Sequence, residues 1–200
     1  MASRGLALSK TYLISDPHFN HAKIATYCDR PTDFTERLIK NCIQTVKPGD
    51  LVICLGDVFI GPPASWNEIW PRLTGSWVLV RGNHDRNHSH NWWMTHGFVF
   101  SCDSMIFRHC WLTHEPARVL PAHADINIHG HLHNIWHGFH PEDPKDYSPD
   151  QKTAQGEKRL QEPWQRLFAI EYTNYMPICF DKFVNKPDQF QARGPNDLRT

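Results

Sequence analysis

Trp77-Val78-Leu79-Val80-Arg81-Gly82-Asn83-His84-Asp85 reads as a buried strand that runs straight into a polar turn. Four consecutive apolar residues suit a parallel strand covered on both faces. Gly82 and Asn83 suit the tight turn after it, because both tolerate positive φ. Alone, this is an ordinary strand end. It decides the fold because the same pattern recurs along the chain. Thr11-Tyr12-Leu13-Ile14-Ser15 runs into Asp16-Pro17-His18, and Leu51-Val52-Ile53-Cys54-Leu55 into Gly56-Asp57. Cys110-Trp111-Leu112-Thr113 runs into His114, and the strand over 125–129 into Gly130-His131-Leu132-His133. Short apolar runs alternating with helical stretches mark an α/β chain. In open α/β sheets ligands gather outside the carboxyl ends of the strands. These Asp, Asn and His side chains are therefore expected to meet in one place.

Further strands are expected at 98–100, 105–107, 167–172 and 178–180. Between the first two strands, Phe34, Leu38, Ile39, Cys42, Ile43 and Val46 recur at helical spacing. Asp33 stands at the N-cap with Glu36 three residues on, the pattern of a capping box, and Pro48-Gly49-Asp50 ends the helix. Two more helical segments are expected near 64–70 and 87–95. Residues 141–165 break the rhythm with prolines and few apolar side chains, which reads as an insertion in a single domain spanning 1–200. It is expected to act as a lid or as a contact in a homo-oligomer.

The 21 basic residues are balanced by 21 acidic ones, so no global field favours a polyanion and no extended nucleic-acid surface is expected. At 40% hydrophobic and 12% aromatic the chain is not intrinsically disordered. No apolar run approaches the ~20 residues of a membrane helix. The opening Met1-Ala2-Ser3-Arg4-Gly5-Leu6 carries no secretory apolar region, and the six cysteines form no CxxC pair. A cytoplasmic protein with reduced thiols is the expectation. Histidine is the outlier, at 14 of 200 residues. His131 and His133, two apart on an extended segment, face the same way, a costly arrangement unless a cation lies between them.

In order, Asp16/His18, Gly56-Asp57, Gly82-Asn83-His84-Asp85, His114 and Gly130-His131-Leu132-His133 form the DxH, GD, GNHD, H, GHxH series. In this the sequence resembles the calcineurin-like metallophosphoesterase superfamily. The segments 15–21, 27–31 and 170–178 resemble a small bacterial and phage-associated branch of it. The resemblance implies a four-layer α/β/β/α sandwich of two mixed sheets flanked by helices, with two divalent metal ions at one sheet edge. It assigns Asp16, His18 and His133 to one metal, Asn83, His114 and His131 to the other, and Asp57 to both. Carboxylates and neutral imidazoles suit Mn²⁺, the first expectation, and also Fe, Zn²⁺ or Ni²⁺. No thiolate joins the set, which argues against a closed structural zinc site. Two such cations, roughly 3.5–4 Å apart, acidify water and stabilise the attacking and leaving oxygens of an in-line displacement at phosphorus.

By the same resemblance His84 is the general acid for the leaving alkoxide, with Asp85 orienting its ring. His21, Arg30 and Arg81 are candidate substrate contacts. The expected function is hydrolysis of a small phosphoester. A diester is favoured, cyclic or short and nucleotide-like, because few arginines stand near the motifs to clamp a monoester dianion. The alternatives are a phosphomonoesterase or protein phosphatase, and a non-catalytic metal-binding module of the same fold. His129 reads as a packed strand residue, and Trp66, Trp70, Trp92, Trp93 and Trp111 as core or rim.

Overall fold

The computed structural model describes residues 9–134, 162–186 and 189–190. Four parallel strands, β1 (Thr11–Ile14), β2 (Leu51–Cys54), β3 (Ser76–Val80) and β4 (Phe100–Cys102), make most of the first sheet. In the second sheet β5 (Ser104–Phe107) runs antiparallel to β6 (Cys110–Thr113), followed by the parallel β7 (Ile126–His129) and β8 (Gln165–Leu167). The short β9 (Ile178–Cys179) returns to the first sheet antiparallel to β1. The orders are β4-β3-β2-β1-β9 and β5-β6-β7-β8. Both sheets are mixed and helices flank them, as the α/β/β/α expectation required.

Side-chain alternation explains the layering. Tyr12, Ile14, Val52, Cys54, Trp77 and Leu79 face one way, into a core shared with α2 (Phe34–Thr45), α3 (Pro63–Ile69) and α4 (His90–Thr95). Leu13, Ile53 and Val80 face the other way, onto Leu112 and Ile128 of the second sheet. Having both faces covered is why these strands are continuously apolar. Helix α5 (Phe180–Asn185) joins the inter-sheet core, with Phe180 on Phe107 and Phe183 on Phe168. Trp66, Trp77 and Trp93 are buried around Phe98. Among the described residues no helix is long and apolar enough to cross a membrane.

Several local expectations are corrected. Helix α1 (Ala22–Tyr27), a single short element with no side-chain cap, was not anticipated. Asp33 is the N-cap of α2 but makes no side-chain cap; its carboxylate takes Arg37 instead, and Glu36 pairs with Arg72. The strand expected at 98–100 begins at Phe100, because Gly97 and Phe98 close α4 first. The strand expected at 167–172 is β8 followed by a 3₁₀ turn over Ile170–Thr173, ended by Asn174 in the left-handed region (φ 51°). Phe180 opens α5 rather than closing a strand. Of the insertion, 141–161 lie outside the described residues, whereas Gln165 already belongs to β8.

Candidate metal centre

Parallel register carries the motif residues to one edge. Ile14 pairs with Cys54, and Cys54 with Leu79, so β1, β2 and β3 end level. Beyond the strands, the Asp16 N–H donates to the Gly56 carbonyl and the His18 N–H to the Asp57 carbonyl, both at 3.0 Å. In the second sheet the Gly130 N–H donates to the His114 carbonyl at 2.9 Å. The His131 N–H donates to Asp16 Oδ2 at 2.9 Å, so the carboxyl ends of the two sheets meet at one edge.

The backbone there is contorted. Asp16 (φ 51°), His18 (φ 45°), Asp57 (φ 54°), His131 (φ 70°) and His133 (φ 50°) all lie in the left-handed region. Such residues cost of order 1–3 kcal/mol each, and persist only where the surroundings over-determine them. Glycines permit the crowding. A Cβ on Gly82 would strike the Asp57 carboxylate, and one on Gly130 would strike Ser15 Oγ and the Asp16 carboxylate. Gly130→Ala is therefore expected to cost about 1–3 kcal/mol by overpacking. In a thermal melt the variant should unfold several degrees lower; an unchanged melting point would show that Asp16 has room to move.

Three groups of ligand atoms form, the third, Cys28, His133 and Glu171, sharing His133 with the first. Asp16, His18 and His133 bring theirs within 4.8 Å of one another, and so do Asp57, His114 and His131. Asp57 Oδ2 joins these two, at 3.5 Å from His18 Nε2 and 3.4 Å from His114 Nε2. Asp16 Oδ1 is 3.7 Å from His133 Nε2 and 4.0 Å from His18 Nε2. The Nδ1 of His114 donates to the Leu55 carbonyl at 2.7 Å, which turns Nε2 inward, 3.0 Å from both Asn83 Oδ1 and His131 Nδ1. Buried polar atoms are normally hydrogen-bonded. Here Asp16 Oδ1 and both ring nitrogens of His18 are buried with no hydrogen-bond partner. Oxygen and imidazole donors converging on one space, some with no other partner, fit divalent cations.

The electrostatics agree. Burial works against the charged form of His114, yet the charge and hydrogen bond of Asp57 lift it to about 9. Burial and the nearby His133 push His18 well below its ordinary value. Asp57 is held below the usual carboxylate range: burial opposes this, but His114, His18 and His84 prevail. The Asp57 carboxylate thus sits among imidazoles that favour its charged form.

The candidates outside these groups fare differently. His84 stands at the open edge with its side chain 43% exposed, its Nε2 3.9 Å from Asp57 Oδ2. The His21 ring lies 5.3 Å from His18 and 6.4 Å from His84, with its Nδ1 buried and lacking a hydrogen bond. Asp85 does not orient His84. It accepts from the backbone N–H groups of Asp57 (2.7 Å), Val58 (2.9 Å) and Gly82 (2.7 Å), stitching one ligand loop to the other. Burial and the charge of Asp57 push it up to about 6. Arg81 turns away to Asp103 and the His88 carbonyl. Arg30, 4% exposed, lies behind the ligands rather than in front of them. It donates to the Asp16 and Pro17 carbonyls and to Glu171. His129 is packed, as read, and burial lowers it to about 4. The Glu171 side chain is buried beside His133; it lies in the 170–178 segment of the branch resemblance but outside the DxH–GHxH series, and no spacing there assigns it a role.

A sequence model of the family described as calcineurin-like phosphoesterase matches residues 9–187. An uncharacterized protein of Methanocaldococcus jannaschii, MJ1445, is 29% identical over 202 residues, covering 96% of this chain and 100% of the relative. A crystal structure of a protein of unknown function from Aquifex aeolicus, AQ665, superposes with a TM-score of 0.62 at 23% identity. It covers 90% of this chain and 100% of that one, a likeness of fold.

Proposed function

The chain belongs to the calcineurin-like phosphoesterase family, and from that premise we propose that it is a two-metal phosphodiesterase acting on a small, nucleotide-like substrate. Membership implies metal-dependent hydrolysis of phosphoesters. The observation that supports the two-ion reading is Asp57 Oδ2, 3.5 Å from His18 and 3.4 Å from His114, so that one carboxylate could serve both ligand groups. Asp16, His18 and His133 would hold one cation and Asn83, His114 and His131 the other, with Mn²⁺ the first candidate. When bound, such a pair supplies positive charge against phosphate oxygens and makes water acidic enough to act near neutral pH.

The chain's own residues do the rest. His84, exposed beside Asp57, is free to donate a proton from its imidazole to the departing alkoxide. His21, whose buried Nδ1 lacks a hydrogen-bond partner, lies beside His84 and is suited to bind a phosphate oxygen. The arginines favour a diester. A monoester dianion calls for guanidinium clamps, and Arg30 and Arg81 are both committed elsewhere. Next to His84 an open pocket is lined by Phe59, Ile60, Gly61, Asn87, His88 and Trp93. His88 stacks on Trp92, their centroids 3.8 Å apart, so the pocket wall is a flat ring held in place. Such a wall suits a planar leaving group, on the side where His84 would protonate it.

The test is a panel of mono- and diesters, including 2′,3′- and 3′,5′-cyclic nucleotides, assayed with Mn²⁺, Fe²⁺, Zn²⁺ or Ni²⁺ supplied. Diesters should be cleaved fastest. Faster monoester turnover would overturn the substrate assignment. No turnover by protein holding two ions would favour an interaction module of the same fold.

A further inference from the structure

We infer that Glu171, braced by Arg30, is a positioning residue that fixes the ring of His133 so that Nε2 faces the metal space. The inference rests on the ligand set proposed above and extends it to a segment outside the DxH–GHxH series. Glu171 sits in the 3₁₀ turn over Ile170–Thr173, beyond β8, and enters the centre from behind.

Glu171, Arg30 and the Cys28 thiol all gather about His133, and the first two define its orientation. Glu171 Oε1 lies 3.1 Å from His133 Nδ1, while the opposite nitrogen, Nε2, is 3.7 Å from Asp16 Oδ1. Arg30 Nη2 donates to the same Glu171 oxygen at 2.6 Å and to the Asp16 carbonyl at 2.9 Å. Arg30 Nη2 also lies 3.2 Å from His133 Nδ1. Guanidinium can only donate, so if Nδ1 accepted from Arg30 the neutral ring would carry its proton on Nε2 and could not ligate there. The carboxylate, which only accepts when ionised, decides the matter: Nδ1–H donates to Oε1, and Nε2 keeps its lone pair for a cation. Arg30 compensates a carboxylate that would otherwise be buried uncompensated, and the side chains of the pair are 0% and 6% exposed.

Neighbouring contacts keep the geometry. Asn134, next to His133, donates from Nδ2 to the Cys28 carbonyl at 2.8 Å and accepts from the Tyr172 hydroxyl at 3.1 Å. The Arg30 N–H donates to the Ala25 carbonyl at 2.9 Å. Segments 25–30, 133–134 and 170–173 thus form one brace behind Asp16 and His133. The role parallels that of the Leu55 carbonyl, which holds Nδ1 of His114 from the other sheet side. Partners of this kind typically contribute 10–100-fold to metal affinity.

The experiment is a Mn²⁺ titration of the full-length chain, following free Mn²⁺ by electron paramagnetic resonance. Wild type should bind two ions. Glu171→Gln should bind one of them about 10–100-fold more weakly and the other unchanged. Because Glu171→Gln leaves Arg30 without its counter-charge, the double variant Arg30→Met/Glu171→Gln is titrated beside it and should show the same selective weakening. A role confined to packing would lower the melting temperature and leave both affinities alone. Two wild-type affinities in a folded variant would overturn the inference. On the unaltered chain loaded with Zn²⁺, nitrogen-detected NMR should find the His133 proton on Nδ1; a proton on Nε2 would overturn it without any variant. None of these readouts needs turnover. A chain that binds two ions and hydrolyses nothing would end the proposed function and leave this assignment standing.

Discussion

Asp57→Asn should leave a folded protein that has lost both metal ions and, with them, all measurable hydrolysis. The fold should survive because an asparagine keeps the oxygen that accepts the His84 N–H at 3.0 Å, and the backbone of residue 57 still donates to Asp85. What disappears is the negative charge on the one atom that lies within 4 Å of His18, His114 and His84 alike. Outer partners of ligands already contribute 10–100-fold to affinity, and a residue shared by both ions must contribute more than that to each. Elemental analysis after dialysis, beside circular dichroism, measures it. A variant that kept one ion at wild-type affinity would remove Asp57 from the shared position.

His84→Ala should do the reverse. The ring belongs to neither ligand group, so both ions should stay, while the rate on diesters with poor alkoxide leaving groups falls by about 10²–10⁴. The reasoning lies in exposure and distance. Among the described imidazoles within 4 Å of Asp57 Oδ2, His84 is the one exposed to solvent, and it lines the pocket proposed for the leaving group. A leaving group such as 4-nitrophenolate needs little protonation, so its loss should be smaller. Steady-state kinetics at saturating Mn²⁺ separate the cases. Equal losses on both substrates would assign His84 to binding rather than to proton transfer.

The strand ends were legible because strand and ligand are written in neighbouring residues. An apolar run followed at once by Asp-x-His or Gly-His-x-His states both where the chain is buried and where it turns polar. Their convergence then needed only the rule that ligands gather outside the carboxyl ends of strands in open α/β sheets. Asp85 was legible as an acid in the turn but not by role, since its partners, the N–H groups of Asp57 and Val58, lie on another loop. Arg30 and Arg81 show the same limit from the other side. An arginine near a motif carries no mark of whether it points forward to substrate or back to a carboxylate. Glu171 was unreadable because its meaning depends on the 170–173 turn folding behind His133. Where β8 gave way to that turn, local apolarity was similar, and tertiary contacts made the choice.

The central claim is that two separate ligand groups share Asp57, and anomalous diffraction from crystals grown with Mn²⁺ tests it most directly. Two peaks are predicted, one among Asp16, His18 and His133 and one among Asn83, His114 and His131, both in contact with the Asp57 carboxylate. A single peak, or none in crystals grown in saturating Mn²⁺, would contradict it.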